Sequence, residues 1–161
     1  GSFSEFKRSS KEMGEVMTDR IIREKKISEF KLGDSISVRA FIVQTFQPRF
    51  FEVSKETGKK LTESEREKGV ATDRKALINI VIDDGTETIR AVIFNDNLSV
   101  LGLNDLENPE RLSYQIENLL GREMIFSGNV RKNNFFNNEE FIVDGVKEVN
   151  LDELISQLEK K

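Results

Sequence analysis

The stretch that most constrains the fold is a predicted β-hairpin over residues 76–94, ALINIVIDDGTETIRAVIF. Two runs rich in Ile and Val flank an Asp-Gly step, which supplies the positive φ that a tight hairpin turn needs. In the second run, alternation places three apolar residues on one face and puts Arg90 and Phe94 on the other. A guanidinium and a ring on one strand face can contact a phosphate and stack on a base. The alternative is a solvated arginine beside a phenylalanine that caps the core.

A second long strand is predicted from Ser35 to Gln47, with apolar residues on one face and Arg39 on the other. Pro48 interrupts it, and Arg49 and Phe50 follow at once. A cation beside aromatic rings at a strand end suits a nucleic-acid groove, and it equally suits a hydrophobic plug that closes the end of a barrel.

The last hairpin is predicted from strands at 122–132 and 140–148, joined by an Asn-rich loop. Asparagine tolerates turn conformations, but a turn has no reason of its own to expose aromatic rings. Cations placed just before such rings provide charge for phosphates and flat surfaces for bases. The alternative is that one ring folds back into the core. The candidate residues of this hairpin are Arg131, Lys132, Phe135 and Phe136.

Helices are predicted on both sides of this strand-rich region. Residues 1–30 read as a tail and a polar helix over 9–26, and short helices at 95–101 and 113–120, linked through Pro109, separate the two hairpins. A short helix at the C-terminal end, within 151–161, is too short to be stable alone, so its apolar stripe must pack on its own barrel or on a partner. That stripe consists of Leu151, Leu154, Ile155 and Leu158.

Composition excludes several classes of chemistry. The 161 residues contain no Cys and no His, which removes disulfides, thiol and imidazole catalysis, and soft or borderline metal sites. No spaced carboxylate loop argues for a hard cation. We therefore expect no metal, no cofactor and no enzymatic activity. The net charge of −4 argues against a generic polyanion binder, so any nucleic-acid site must be a local groove.

Three stretches together resemble one known family. ETIRAVIFNDNLSVL (87–101), GDSISVRAFIVQTFQPRFFEV (33–53) and GREMIFSGNVRKNNFFNNEEFIVDGVKEVN (121–150) resemble the single-stranded-DNA-binding OB-folds of replication protein A, especially the archaeal large-subunit type. The resemblance implies an all-β fold: a five-stranded OB-fold barrel over 31–150 with N-terminal and C-terminal helical extensions.

The resemblance also implies a stacking surface on the barrel. Phe94 matches the family's aromatic on the third strand, whereas Ile78 stands at the position of the partner ring on the second strand, so Phe50 or a loop phenylalanine must replace that ring. The family often carries a cysteine-ligated zinc ribbon at the place of the charged insertion 54–74. Here Ser54 and Thr57 replace a Cys-x-x-Cys pair, and we expect a metal-free loop. It is either a solvated excursion or a flap that brings Lys59, Lys60, Arg74 and Lys75 to the DNA backbone.

The resulting hypothesis is a non-enzymatic module that binds single-stranded DNA in replication, repair and recombination, in the cytoplasm and associated with the nucleoid. No apolar run approaches the roughly 20 residues of a membrane helix. The competing hypothesis is an assembly module, which binds other replication protein A subunits or replication proteins through the C-terminal helix and touches DNA weakly. The predicted DNA contacts are Arg39, Arg49, Phe50, Arg90, Phe94, Arg131, Lys132, Phe135 and Phe136.

Overall fold

Seven β-strands form the framework of the protein. The structure, a computed structural model, describes residues 23–135 and 137–159. The strands are β1 (Arg23–Glu24), β2 (Ser35–Thr45), β3 (Arg49–Ser54), β4 (Thr72–Asp83), β5 (Thr88–Phe94), β6 (Glu123–Asn133) and β7 (Asn138–Glu148).

Five of these strands close into a ring. Going round it, β2 pairs with β6, β6 with β7, β7 with β5, β5 with β4, and β4 returns to β2. Every pairing in the ring is antiparallel except β5 with β7, which is parallel. The five expected strands are therefore present. Two strands were not predicted: β1 pairs in parallel with the start of β2, and β3 extends the sheet beyond β4.

The core fills the inside of the ring, as the alternation along the strands predicted. In β2 the inward residues run from Ile36 to Ile42 and are at most 5% exposed, whereas Phe41 on the outward side is 47% exposed. Burial along β4 alternates in the same way. The largest fully buried side chains are Phe126, Phe141, Ile42, Ile78, Ile80, Ile82, Ile93, Leu98, Leu101, Leu119, Met124 and Val130.

Four helices accompany the strands in the described part of the chain: α1 (Glu63–Lys68), α2 (Asn95–Leu98), α3 (Pro109–Glu117) and α4 (Leu151–Glu159). The prediction that Pro109 only links two helices was wrong, because Pro109 is the first residue of α3 and the Asn108 side chain caps it. None of these described helices is long and apolar enough to span a membrane.

The predicted helix over 9–26 lies mostly outside the described residues. Its last part was wrong, because Arg23–Glu24 form the strand β1, and Ile27–Glu29 then make a 3-10 turn. The predicted insertion 54–74 is also less irregular than expected. It contains the capped helix α1, and its last residues belong to β4.

The turn between β4 and β5 holds the segment that precedes β2. The Ile27 backbone N–H donates to Asp84 Oδ2 at 2.9 Å, and the Ser28 N–H donates to the Thr86 hydroxyl at 3.2 Å. Desolvation raises the pKa of Asp84, but hydrogen bonds from the Thr86 hydroxyl and the Ile27 N–H, with others in the turn, outweigh it and hold the pKa below its usual value. The predicted Asp-Gly hairpin is confirmed, with Gly85 at φ +91°.

Candidate nucleic-acid interface

The outward side of the β4–β5 hairpin is a continuous surface, which we call the β4–β5 face. Residues directly opposite each other on paired strands point to the same side of a sheet. The register pairs Leu77 with Phe94, Asn79 with Val92, and Val81 with Arg90, while the intervening residues point into the core. The β4–β5 face therefore consists of Leu77, Asn79, Val81, Arg90, Val92 and Phe94.

Phe94 lies at the end of this face, where β5 meets α2. Phe94 is 38% exposed, so part of the residue is open to solvent. The prediction that Ile78 stands on β4 at the position of the ring that partners Phe94 was wrong. Ile78 is fully buried and pairs with Ile93 inside the ring, and the residue across from Phe94 is Leu77.

A second ring reaches the β4–β5 face from the end of β2. The β2–β4 register shifts between Ile42 and Gln44, and beyond this irregularity the Phe46 N–H donates to the Asn79 carbonyl at 3.1 Å. The Phe46 side chain is half-buried, and the Arg90 guanidinium carbon lies 4.7 Å from its ring centroid. The sequence analysis did not select Phe46, because a regular strand through Gln47 gives no sign of the bulge that redirects it.

The start of β3 separates two residues that were predicted to act together. Arg49 pairs with Leu77, so it lies in the row of Phe94 on the outward side. Phe50 pairs with Ala76, whose side chain points into the core, so Phe50 lies on the opposite side of the sheet. There the Arg74 guanidinium carbon sits 4.1 Å from the Phe50 ring centroid. Phe50 is therefore not the ring that partners Phe94.

The β6–β7 hairpin presents its cations opposite carboxylates. Arg131 pairs with Glu140, and Lys132 pairs with Glu139. Glu140 also neighbours Arg90 across the parallel pairing of β7 with β5. A row of cation, carboxylate and cation thus crosses β6, β7 and β5 beside the β4–β5 face.

The tip of the same hairpin holds an open aromatic ring. Phe135 is 93% exposed, and its backbone N–H donates to Asn133 Oδ1 at 2.9 Å. The Asn133 side chain in turn donates to Glu140 Oε2 at 3.1 Å. Phe136 lies outside the described residues. Phe135 does not fold back as a core plug.

Arg39 stands apart from these groups. It lies in the half of β2 that pairs with β6, opposite Ile125, and its Nε is 3.4 Å from Glu123 Oε2. The structure does not bring Arg39 together with the β4–β5 face.

Hydroxyl groups organise the turn that begins the insertion. Ser54 is 1% exposed, and its hydroxyl oxygen accepts the N–H groups of Glu56 at 3.2 Å and Thr57 at 3.4 Å. The Thr57 hydroxyl accepts the Lys59 N–H at 3.2 Å. Among the described residues there is no cluster of three or more side chains of the kinds that ligate metals.

Helix α4 carries exposed apolar side chains. Ile155 is 54% exposed and Leu158 is 68% exposed. The backbones of Leu151 and Leu154 belong to the helix, but their side chains lie outside the described set.

Comparisons with known proteins bear mainly on the fold. Scans against protein-family models and against curated proteins gave no match. Yeast replication protein A bound to single-stranded DNA is similar in structure, with 18% identity over 87% of this chain and 98% of that chain and a TM-score of 0.60. A replication protein A heterotrimer bound to single-stranded DNA has 15% identity over 87% of this chain and 39% of that chain, with a TM-score of 0.64. This chain has an OB-fold, as the structural similarity to these two proteins shows. At these identities the likeness concerns the fold alone, and it confirms the OB-fold that the resemblance implied.

An archaeal OB-fold gives a weaker match. The second OB-fold domain of replication protein A from Methanococcus maripaludis is 19% identical, covering 79% of this chain and 95% of that domain, with a TM-score of 0.46. In OB-folds generally, oligonucleotides bind on the face of the second and third barrel strands and on the loops after the first and fourth. In this OB-fold those elements are β4 and β5, the segment between β2 and β4, and the tip of the β6–β7 hairpin.

Proposed function

We propose that this chain is a single-stranded-DNA-binding module, an OB barrel that holds a strand across the β4–β5 face. The observation that carries the proposal is the convergence of Phe46, Phe94 and Arg90 on one outward surface. Phe46 and Arg90 come together through the β2 bulge and the strand register, although they are far apart in sequence.

Stacking supplies the main attraction in this proposal. The rings of Phe46 and Phe94 lie beside an apolar floor of Leu77, Val81 and Val92. Each base stacked on an aromatic ring contributes roughly 1–3 kcal/mol and does so for any base. Phe135 at the hairpin tip offers a further ring as the strand leaves the face.

Cations at the edges of the face contact the backbone of the strand. Arg90 rests on the Phe46 ring, which limits its rotamers and orients its N–H groups for a phosphate. Arg49 at the other end of the face, and Arg131 and Lys132 on the hairpin, extend the phosphate path. The module binds and releases its ligand without turnover, in replication, repair and recombination inside the cell.

The experiment is fluorescence anisotropy of a labelled oligo-dT of about 15 nucleotides, since one OB-fold covers roughly 4–16 nucleotides. We expect saturable binding that weakens as salt rises, because phosphate contacts release counterions. A duplex of the same length serves as a competitor that should displace the strand poorly. Absence of binding at low salt by folded protein would refute the proposal.

A second candidate function is subunit assembly through α4. The exposed side chains of Ile155 and Leu158 favour it, since an apolar stripe on a short helix gains stability when a partner covers it. Coexpression with candidate replication protein A subunits, followed by light scattering, tests it. Assembly predicts a joint complex that Ile155→Glu with Leu158→Glu dissolves without changing oligo-dT binding. A chain that elutes alone in every combination would exclude this role.

A further inference from the structure

Three large apolar side chains remain uncovered at one end of the strand ring. Phe41 and Val43 lie two residues apart on the outward side of β2, and Leu120 lies in the turn after α3. Each of the three is between 47% and 51% exposed. A single exposed apolar residue is ordinary on a protein surface, whereas a contiguous group is typical of an interaction site. We call these three residues the β2 patch.

Backbone hydrogen bonds bring Leu120 beside Val43 and make the β2 patch continuous. The Gly121 N–H donates to the Ile42 carbonyl at 2.8 Å, and the Ile42 N–H donates to the Arg122 carbonyl at 2.9 Å. Two residues therefore stand opposite one, as in a β-bulge, and the residue before them, Leu120, lies opposite Val43. Gly121 has no side chain that would separate the two.

Helix α4 begins at the same end of the ring as the β2 patch. Glu148, the last residue of β7, pairs with Met124, and its Oε1 lies 3.7 Å from Arg122 Nη2. Only two residues separate Glu148 from the helix. Ile155 and Leu158 on α4 are nevertheless more than half exposed. One chain thus carries two neighbouring apolar surfaces that do not cover each other.

We propose that the β2 patch binds α4 of a second copy of this chain. Under a two-fold axis each helix covers the patch of the other copy, so that both contacts form at once and the assembly closes as a dimer. The exposed fractions of the five side chains amount to roughly 500 Å² in one contact, and two contacts approach the roughly 1,200 Å² at the low end of specific interfaces. This inference rests on the candidate role of α4 in assembly and is independent of DNA binding.

Charges at the rim of the two surfaces favour the same pairing. Asp152 and Glu159 are exposed on α4, about one turn on either side of Ile155, so they share its helix face. Arg39 lies beside the β2 patch on the outward side of β2, and its ion pair with Glu123 is exposed and therefore weak. A helix docked on the patch brings its carboxylates toward this guanidinium.

The test is sedimentation equilibrium of the whole chain from low to high micromolar concentration. We expect the mass of wild type to double as concentration rises. Leu120→Glu in the patch and Ile155→Lys in the helix should each raise the dimer Kd about tenfold or more, because each variant places a charge in both contacts. Leu32→Glu is the matched control, since Leu32 is 54% exposed in the turn before the opposite end of β2. It should dimerise like wild type.

A mixture of Leu120→Glu and Ile155→Lys shows which surfaces meet. The first variant keeps an intact α4 and the second keeps an intact β2 patch, so one native contact forms between them. The other contact sets opposite charges against each other. We expect a mixed dimer in native mass spectrometry at concentrations where each variant alone is monomeric. Absence of the mixed dimer would overturn the pairing of α4 with the patch.

The outcomes separate this inference from the assembly role of α4. Wild type that stays monomeric at every concentration would overturn the inference, while complexes of α4 with other subunits would remain a separate result. Dimers lost in Ile155→Lys but retained in Leu120→Glu would overturn the inference and keep α4 as an assembly element. Dimers retained in both variants would overturn the inference and place the contact elsewhere. Thermal unfolding of each variant excludes a fold defect.

Discussion

The β4–β5 face and the β6–β7 hairpin both combine aromatic rings with cations, yet they do so under different physical conditions. On the face, the ring of strands fixes the positions of Phe46 and Phe94, and Arg90 is stacked on Phe46. On the hairpin, Phe135 is 93% exposed, and Arg131 lies opposite Glu140. The same residue types are preorganised in one region and are exposed or opposed by acid in the other.

This difference bears on affinity because ordering costs free energy. Immobilising a side chain with several rotamers costs roughly 0.5–1.5 kcal/mol on binding, and a side chain already held in place avoids most of that cost. Half-buried rings on paired strands therefore retain more of their stacking energy than an exposed ring at a hairpin tip. The β4–β5 face should dominate binding, and the hairpin should adjust it.

The largest expected effect is the loss of a ring from the face. Phe94→Ala and Phe46→Ala should each weaken oligo-dT binding by about 5- to 150-fold, the equivalent of roughly 1–3 kcal/mol per stacked base. Phe135→Ala should weaken it by no more than about threefold, because that ring must be ordered on binding. Anisotropy titrations measure all three, with Tyr114→Ala, an exposed ring on α3, as the control. A larger loss for Phe135→Ala than for Phe94→Ala would reverse the ranking of the two regions.

A smaller effect is expected from the cation of the face. Arg90→Ala should weaken binding by about three- to tenfold and reduce the slope of log K against log salt by about 0.7, the value for one phosphate contact on a single strand. Arg90→Lys keeps the charge and loses the planar stack on Phe46, so it should restore the salt slope but only part of the affinity. Titration of both variants at several salt concentrations separates charge from stacking. An unchanged slope in Arg90→Ala would exclude Arg90 as a phosphate contact.

Substitution of Glu140 should strengthen DNA binding, whereas the substitutions above should weaken it. It neighbours Arg131 and Arg90 on adjacent strands, so its negative charge should offset part of the attraction that these two cations offer to a DNA phosphate. Glu140→Gln should strengthen oligo-dT binding by about two- to fivefold at low salt, and the gain should shrink as salt screens the charges. Glu117→Gln, on the exposed side of α3, changes the net charge equally and serves as the control. Equal gains in oligo-dT affinity for the two variants would show that the effect comes from net charge and not from the position of Glu140 between Arg131 and Arg90.

The smallest effect on DNA binding is expected from the turn behind the face. Asp84→Ala removes the carboxylate that accepts the Ile27 N–H, the Thr86 N–H and the Thr86 hydroxyl. Its loss should lower the free energy of unfolding by about 1–2 kcal/mol at neutral pH. Because the folded pKa of Asp84 lies below its unfolded value, this stability is present above the ordinary carboxyl pKa and is lost as pH falls through the folded pKa. Urea unfolding of both proteins from neutral to acid pH should show the two curves converging in acid. A constant gap would exclude the ionised carboxylate as the cause.

Much of the fold was predictable from local patterns. The Asp-Gly turn and the alternation around Arg90 gave the β4–β5 hairpin and the outward position of Phe94 correctly, because one face of each strand must be buried. The predicted bounds of the strands lay close to the observed bounds for the same reason. The start of α3 was missed because Pro109 was taken as a break, although proline is favoured in the first turn of a helix.

The make-up of the site was harder to predict, since it depends on contacts between distant strands. A single bulge in β2 turns Phe46 toward Arg90, and no pattern in the sequence marks that bulge. The pairing of Arg131 with Glu140 follows from the β6–β7 register, which the length of an Asn-rich loop did not specify. The sequence left Phe50 open between a DNA contact and a plug, because β3 was not expected as a strand and the side on which Phe50 lies depends on the pairing of β3 with β4.

The most direct test of the proposed DNA-binding surface is an amide-resolved NMR titration of the uniformly labelled protein with unlabelled oligo-dT. We expect the largest shift changes at Phe46, at Asn79 and along Arg90 to Phe94, with smaller changes at the β6–β7 tip and none at Ser37 or Ile125 on the β2–β6 side. Changes confined to that other side of the ring, or to α4, would contradict a binding surface on the β4–β5 face.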